Sequence, residues 1–262
     1  MEVFGRASSG QTSSTRIRIL GSGTAFNTDG RGCQAVLLEP GAGAPLLLDV
    51  GPDTLRGMAA HGVDPGPIDA VFITHLHGDH IVGWPFLLLH WIFRAGRSRP
   101  VDVYGPRGIS ECLAGLARLS YGELLVRPPF EIRYHELPPG ESAEGTTPGG
   151  VRFEALPVVH HPSSLGYRFE VEGRRIALSG DTEWCDNLVR LSRGTDAAIV
   201  ECTDVDDAPG SHLALSTLRA RAGELETARL VLVHLTDAVA RALAADPLAG
   251  AIAAYDGLAI DL

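Results

Sequence analysis

The 262-residue chain lacks most of the features that would place it outside an ordinary globule, and each lack narrows the choice. No apolar run is long enough for a bilayer. The longest, Trp84 to Phe93, is broken by His90 and falls short of the roughly 20 residues a span requires. Met1 to Thr15 is rich in Ser, Gly and Thr and has no apolar h-region, so residues 1–15 read as a disordered lead or tag remnant. Cysteine is scarce. Cys33, Cys112, Cys185 and Cys202 lie far apart without a C-x-x-C pair, which speaks against a disulfide framework or a thiolate zinc site and suits a reducing cytoplasm. Positive charge is in deficit. A net charge of −10 disfavours a polyanionic partner such as nucleic acid, unless a metal or a local basic patch reverses the field. Low-complexity tracts and internal repeats are also missing.

What is present is a normal core-forming composition, with 45% hydrophobic and 21% charged residues. The length suits one large domain over residues 16–262. Strand-like runs stand at Arg16–Leu20, Gln34–Leu38, Pro45–Val50 and Asp69–Ile73, then at Val101–Tyr104 and Phe130–His135. Further runs stand at Val151–Val159, Leu165–Val171, Arg175–Ser179, Ala197–Glu201 and Leu230–Val233, with a closing strand at Ala251–Ile260. Helical stretches fall at Ile81–Ala95, Ser110–Ser120, Trp184–Ser192, Ala214–Ala222 and Ala238–Ala245. The Pro/Gly-rich stretch Pro138–Gly150 reads as a connection or flap. Mixed elements without a clean linker imply one layered domain with central sheets and outer helices.

The most informative segment is Thr74-His75-Leu76-His77-Gly78-Asp79-His80, directly after the apolar run Ala70–Ile73. Neutral imidazole and carboxylate are ligand types that divalent transition metals prefer. If the strand ends near Thr74, its period-2 alternation puts His75 and His77 on one face, within reach of one ion. Gly78 then lets the backbone turn, so that Asp79 and His80 address a neighbouring position. Dinuclear hydrolytic sites need two ligand sets and a bridge. The second half offers them, each after an apolar strand: His160 or His161 after Leu156–Val159, Asp181 after Ile176–Gly180, and His234 after Leu230–Val233.

Together these segments resemble the metallo-β-lactamase superfamily, and in particular its ribonuclease Z-like branch. The likeness rests on Leu20-Gly21-Ser22-Gly23-Thr24-Ala25, on Leu48-Asp49-Val50-Gly51, and on the metal loop with Gly83 and Pro85. It continues through Gly166-Tyr167-Arg168, Ser179-Gly180-Asp181-Thr182, Val200-Glu201, His212, Leu232-Val233-His234-Leu235 and Ala254-Tyr255-Asp256-Gly257. The resemblance implies a four-layer αββα sandwich with the site at one edge of the sheets. It implies two divalent ions, zinc by default with manganese or iron as alternatives. His75, His77 and His160 would hold one ion, Asp79, His80 and His234 the other, with Asp181 bridging. His160 is preferred to His161 because the family's ligand lies seven residues before the Tyr of G-Y-R, here Tyr167. Asp49 resembles a carboxylate that orients a ligand imidazole, and a strand-end turn residue is its alternative reading. His212 and Glu201 resemble a pair beside the metals, where a protonated imidazole could serve a leaving group. Asp79, Glu201 and His212 are the catalytic candidates, and the branch suggests a homodimer.

One departure bears on substrate. The branch carries a long arm between G-Y-R and G-D-T that grips the tRNA elbow, whereas Tyr167 and Asp181 are separated here by only 13 residues. With the acidic balance, this leads to the expectation of a cytoplasmic hydrolase acting on a small phosphodiester, a small-molecule ester, with nucleic acid disfavoured and no membrane partner. The alternatives are a ribonuclease Z-type RNA or tRNA 3′-end endonuclease, a lactone, thioester or sulfate-ester hydrolase, and a non-hydrolytic metal- or ligand-binding protein.

Overall fold

The computed structural model describes residues 14–207 and 212–262. Most of the expected N-terminal lead lies outside the described residues. Its last residue, Thr15, is buried; its carbonyl accepts the Leu262 amide and its hydroxyl donates to Glu172, so ordered structure reaches at least one residue ahead of the expected boundary.

Apolar runs of three to seven residues pair into two sheets of seven strands each. The first holds β1 (Arg16–Gly21), β2 (Ala35–Glu39), β3 (Leu46–Leu48), β4 (Ala70–Phe72), β5 (Val101–Pro106) and β6 (Ile132–Leu137) in chain order. The second holds β7 (Ala143–Thr146), β8 (Arg152–Pro157), β9 (Leu165–Val171), β10 (Arg174–Leu178), β11 (Ala197–Glu201), β12 (Leu230–Val233) and β13 (Ala251–Ala253). Strand β14 (Ala259–Asp261) returns to the first sheet and pairs antiparallel with β1. Each sheet is parallel from its centre to one edge, β3 through β6 and β10 through β13, and antiparallel on the other side. Parallel strands buried on both faces read as continuous hydrophobic runs, which is how Leu-Leu-Leu and Leu-Val-Leu-Val arise at β3 and β12.

Alternation along each strand sorts the core into layers. Ile17, Val36, Leu48 and Phe72 of the first sheet meet Phe153, Tyr167, Phe169, Ile199 and Val233 of the second in the central layer. On the far side of the first sheet, Leu37, Val71 and Val103 pack under α1 (Thr54–Ala60), α3 (Trp84–Phe93) and α4 (Ile109–Tyr121). Short α2 (Gly78–Ile81) precedes α3, and α5 (Glu123–Val126) follows α4. On the far side of the second sheet, Ala198, Val200 and Leu232 pack under α6 (Asp186–Ser192), α7 (Leu215–Arg221) and α8 (Asp237–Ala245). The architecture is the αββα sandwich.

Besides α1 and α5, which were not expected, three elements differ from expectation. The stretch 138–150 contains β7, which pairs antiparallel with β8; its alternating half-exposed residues Ala143-Glu-Gly-Thr carry too little apolar content to announce a strand. The closing run 251–260 is two strands in different sheets, split where the chain crosses between them at Tyr255-Asp256-Gly257, with Gly257 at φ 91°. The apolar helix after the metal loop is broken at Val82-Gly83. There a Cβ on Gly83 would stand 2.1 Å from the Gly51 carbonyl oxygen, so only glycine lets these backbones touch. Among the described residues no helix is long and apolar enough to cross a membrane.

The β9–β10 turn is the tight Glu172-Gly173 pair, with φ 52° and 80°. Its tip is tied down, because the Glu172 carboxylate accepts the amides of Gly41 and Ala42 at 2.8 Å each. β10 runs from this turn toward Asp181, so the hairpin tip lies at the end of the sheet away from the metal loop.

Candidate metal centre

The C-terminal ends of β4, β8, β10 and β12 converge on one edge of the sandwich, and each delivers a ligand-type side chain. Two clusters hold the seven ligand candidates, and two that overlap them bring in His212, one with His160 and Asp181 and one with Glu201 and His234. His75, His77 and His160 bring nitrogen atoms within 4.8 Å of one another, and Asp79, His80, Asp181 and His234 do the same with nitrogen and oxygen atoms. Asp181 joins them. Its Oδ2 lies 3.4 Å from Nε2 of both His80 and His234, 3.8 Å from Nε2 of His75 and 3.9 Å from Nε2 of His160. Asp79 Oδ2 is 3.4 Å from the same two nitrogens of His80 and His234. All seven ligand candidates therefore meet. His161 stands outside both clusters, and its Nδ1 sits 2.9 Å from the Ser163 hydroxyl.

Positioning is done largely by neighbours that are themselves buried. Asp49 takes a left-handed φ of 61° at the end of β3 and is fully buried. It accepts the Thr74 amide at 2.8 Å and the Thr74 hydroxyl, and its Oδ2 lies 2.8 Å from His80 Nδ1. That contact turns His80 Nε2 toward the cluster, the arrangement that fixes a ligand imidazole. Thr203 does the same for His234. Its Oγ1 is 2.7 Å from His234 Nδ1 and 2.8 Å from Glu201 Oε2. Sequence reasoning missed Thr203, although its place two residues after Glu201 puts both on one face of the chain leaving β11.

The donor set fits divalent metal. His75 Nε2, His80 Nε2 and Asp181 Oδ1 are buried without a hydrogen-bond partner of good geometry, a rare state for buried polar atoms. Burial, with the neighbouring imidazole of His80, pulls the His75 pKa down to about 2, so its ring is neutral and offers a lone pair. Burial alone would raise the Asp79 carboxyl, but contacts from His234 and His80 outweigh it and hold the group well below the usual carboxylate range. Asp181 behaves alike, its burial outweighed by His234 and His80, so it stays ionised at the centre. Ionised carboxylates and a neutral His75 are in the states that bind metal, whereas His80, whose burial is outweighed by Asp181 and Asp49 so that its pKa is raised, must give up its proton as a metal enters.

Beside the ligand clusters stands the pair His212 and Glu201. His212 Nδ1 is 3.0 Å from Glu201 Oε1, and Glu201 Oε1 also accepts the Thr182 amide at 2.6 Å. His212 Nδ1 is 3.9 Å from Asp181 Oδ2. Burial pulls the His212 pKa down, but the Glu201 hydrogen bond and charge outweigh it and lift it to about 9. At neutral pH this is an imidazolium whose Nδ1–H is engaged, leaving Nε2–H as the donor.

With this geometry established, comparison with known proteins narrows the chemistry. A family profile described as a β-lactamase superfamily domain matches residues 45–235. A protein named ribonuclease Z from Mycobacterium bovis is 28% identical over 268 positions, covering 90% of this chain and 94% of its own. Another ribonuclease Z, from Staphylococcus carnosus, is 29% identical and covers 72% of this chain and 76% of its own. Among solved structures, human tRNase Z, short form, superposes with a TM-score of 0.78 at 26% identity, covering 94% of this chain and 98% of its own. These relatives overturn the expectation of a small phosphodiester substrate with nucleic acid disfavoured. Net charge misled because attraction of a polyanion depends on local charge and not on the average surface. The missing arm misled because it bears on how a substrate would be gripped and leaves the ligand geometry intact.

Proposed function

Because the chain belongs to the metallo-β-lactamase superfamily and to its ribonuclease Z-like branch, we propose that it is a metal-dependent endoribonuclease that cuts the 3′ extension from an RNA of the tRNA-precursor type. The observation that carries this reading is likeness along almost the whole chain to proteins named ribonuclease Z, with the site geometry intact. In this reading His75, His77 and His160 hold one divalent ion, and Asp79, His80 and His234 the other, with Asp181 shared. Zinc suits the His/Asp set, and manganese or iron could occupy it. When bound, such ions supply Lewis acidity toward phosphate oxygens and bring the pKa of water toward neutrality.

The chain's own residues supply the rest. Asp79 and Asp181 stay ionised at the centre and can accept a hydrogen bond that orients the attacking water. Glu201 holds His212 as an imidazolium, whose free N–H protonates the departing ribose oxygen. Thr203 and Thr182 lock the Glu201 carboxylate so that this donor keeps its aim. We place the enzyme in a reducing compartment, which its four free cysteines suit.

The test is cleavage of a tRNA precursor carrying a 3′ extension by metal-loaded protein, with product lengths read on a sequencing gel. One cut near the end of the acceptor stem, abolished by a chelator, is the expected result. Intact precursor after incubation with protein of confirmed metal content would remove this reading.

A further inference from the structure

The connection from β1 to β2, Ser22 to Gln34, has no role in the mechanism yet is tied to the metal centre at both ends. The Ser22 carbonyl accepts the amide of Leu235, the residue after His234, at 2.9 Å. At the other end Cys33 Cβ lies against Gly51, where that glycine passes the main-chain carbonyl of Asp79. Between these anchors the chain turns tightly. The Asn27 amide donates to the Thr24 carbonyl at 3.2 Å, and the Phe26 amide approaches the Thr24 hydroxyl at 3.4 Å. Asn27 is left-handed at φ 49°, and its side-chain amide donates to the Arg31 carbonyl at 3.0 Å and to Asp53 at 2.6 Å. At the crown of this braced turn the Phe26 ring is 80% exposed.

A second exposed ring is bound into the same structure. Arg31 donates to the carbonyl of Ala254 at 2.6 Å, and Asp256 accepts the amides of Ser22 and Gly32 at 2.9 and 2.8 Å. Between those two partners sits Tyr255, 58% exposed, just past β13 and beside the strand that carries His234. A single exposed apolar residue is ordinary on a protein surface. Two aromatic rings on one cross-braced rim of a metal centre are a different arrangement, because the hydrogen bonds beneath them hold the backbone from which both rings project.

We propose that Phe26, with Tyr255 as a second ring, is a stacking platform for unpaired nucleobases next to the scissile phosphodiester. The inference rests on the ribonuclease reading above. The charges around the turn are Asp29, Asp53 and Asp256 with Arg31 and Arg56, and the two arginines are engaged by Ser22, Ala254, Asp53 and Asp256, whereas stacking on an aromatic face needs no positive charge. Every base has such a face, so the platform tolerates sequence and selects for a single-stranded segment. It also supplies binding energy at the mouth, where a tied-down β9–β10 hairpin supplies none at a distance.

Phe26→Ala, Phe26→Trp and Phe26→Leu should be compared on a 3′-extended RNA and on the same RNA with an abasic nucleotide at either position flanking the cut. Phe26→Ala should raise KM on the order of 10- to 100-fold, the size of one lost stack, with the greater part of kcat and the metal content kept. Trp should restore KM and Leu should not. An abasic nucleotide on one side of the cut should penalise the wild type by a similar factor and cost Phe26→Ala nothing further. Equal KM for wild type and Phe26→Ala, restoration by Leu, or an undiminished abasic penalty in Phe26→Ala would overturn the platform while leaving RNA cleavage standing. Failure of the wild type to cut any RNA would overturn both the ribonuclease reading and the platform.

Discussion

Asp181 is where the two ligand sets become one site. Its Oδ2 stands within 4 Å of four imidazole nitrogens of those sets, so its removal breaks the bridge and also leaves buried imidazoles facing one another. Asp181→Ala should drop metal content from about two ions per chain to one or fewer, read by elemental analysis. His212 separates from that behaviour, since it lies outside both ligand sets. His212→Ala should lower kcat by about 10²- to 10⁴-fold with metal content unchanged, and lost metal would make it a ligand instead. Asp49→Asn keeps the shape of a buried carboxylate but weakens its hold on His80, so metal affinity should fall about 10- to 100-fold in competition with a chelating dye. At this scale the sequence was most legible where spacing itself carries meaning. H-x-H-x-D-H and the strand ends named six of the seven ligand candidates that converge in space, while the choice of His160 over His161 came from the family resemblance. Thr203 was harder to see, because a hydroxyl holding an imidazole from the far side has no spacing of its own.

At the scale of elements, two connections decide how the site is built and reached. The backbones of Val50-Gly51 and His80–Gly83 pack against each other, with the Val50 amide donating to the His80 carbonyl at 2.7 Å. Gly83→Ala puts a Cβ 2.1 Å from the Gly51 oxygen. It should destabilise the fold by about 1–3 kcal/mol in denaturant titrations, and metal affinity should fall with it. The β9–β10 hairpin matters for what it cannot do. With its tip bonded to Gly41 and Ala42, it is not free to reach a distant part of the substrate. Remote binding energy that raises turnover is therefore small, and a short stem with a 3′ extension should be cut with kcat/KM within about threefold of the full precursor. A loss of a hundredfold on truncation would locate a remote grip elsewhere on the molecule. Long apolar strands were legible at this scale. The polar edge strand β7 and the crossing at Tyr255–Gly257 were not, because pairing partners and not local pattern determine them.

Across the whole molecule, the composition describes an acidic protein whose 22 basic residues are all arginine. That average says little about one edge of the sandwich, where clustered histidines, the metal ions they would hold and two exposed rings would set the local chemistry. Because seven side chains from both halves of the chain meet at that edge, metal binding should stabilise the entire fold. Stripping the metal should lower Tm and adding it back should restore it, with about 3–4 kcal/mol expected at metal concentrations 100 to 1,000 times Kd. In the proposed reaction water, and not the RNA's own 2′-hydroxyl, attacks the phosphorus. The most direct measurement is end analysis of the two products from a 3′-extended precursor whose ribose at the cut site carries a 2′-deoxy substitution. Cleavage should persist with that substitution, leave a 3′-hydroxyl on one fragment and a 5′-phosphate on the other, and be lost in Asp181→Ala. A 2′,3′-cyclic phosphate, or a cut abolished by the 2′-deoxy substitution, would contradict attack by water.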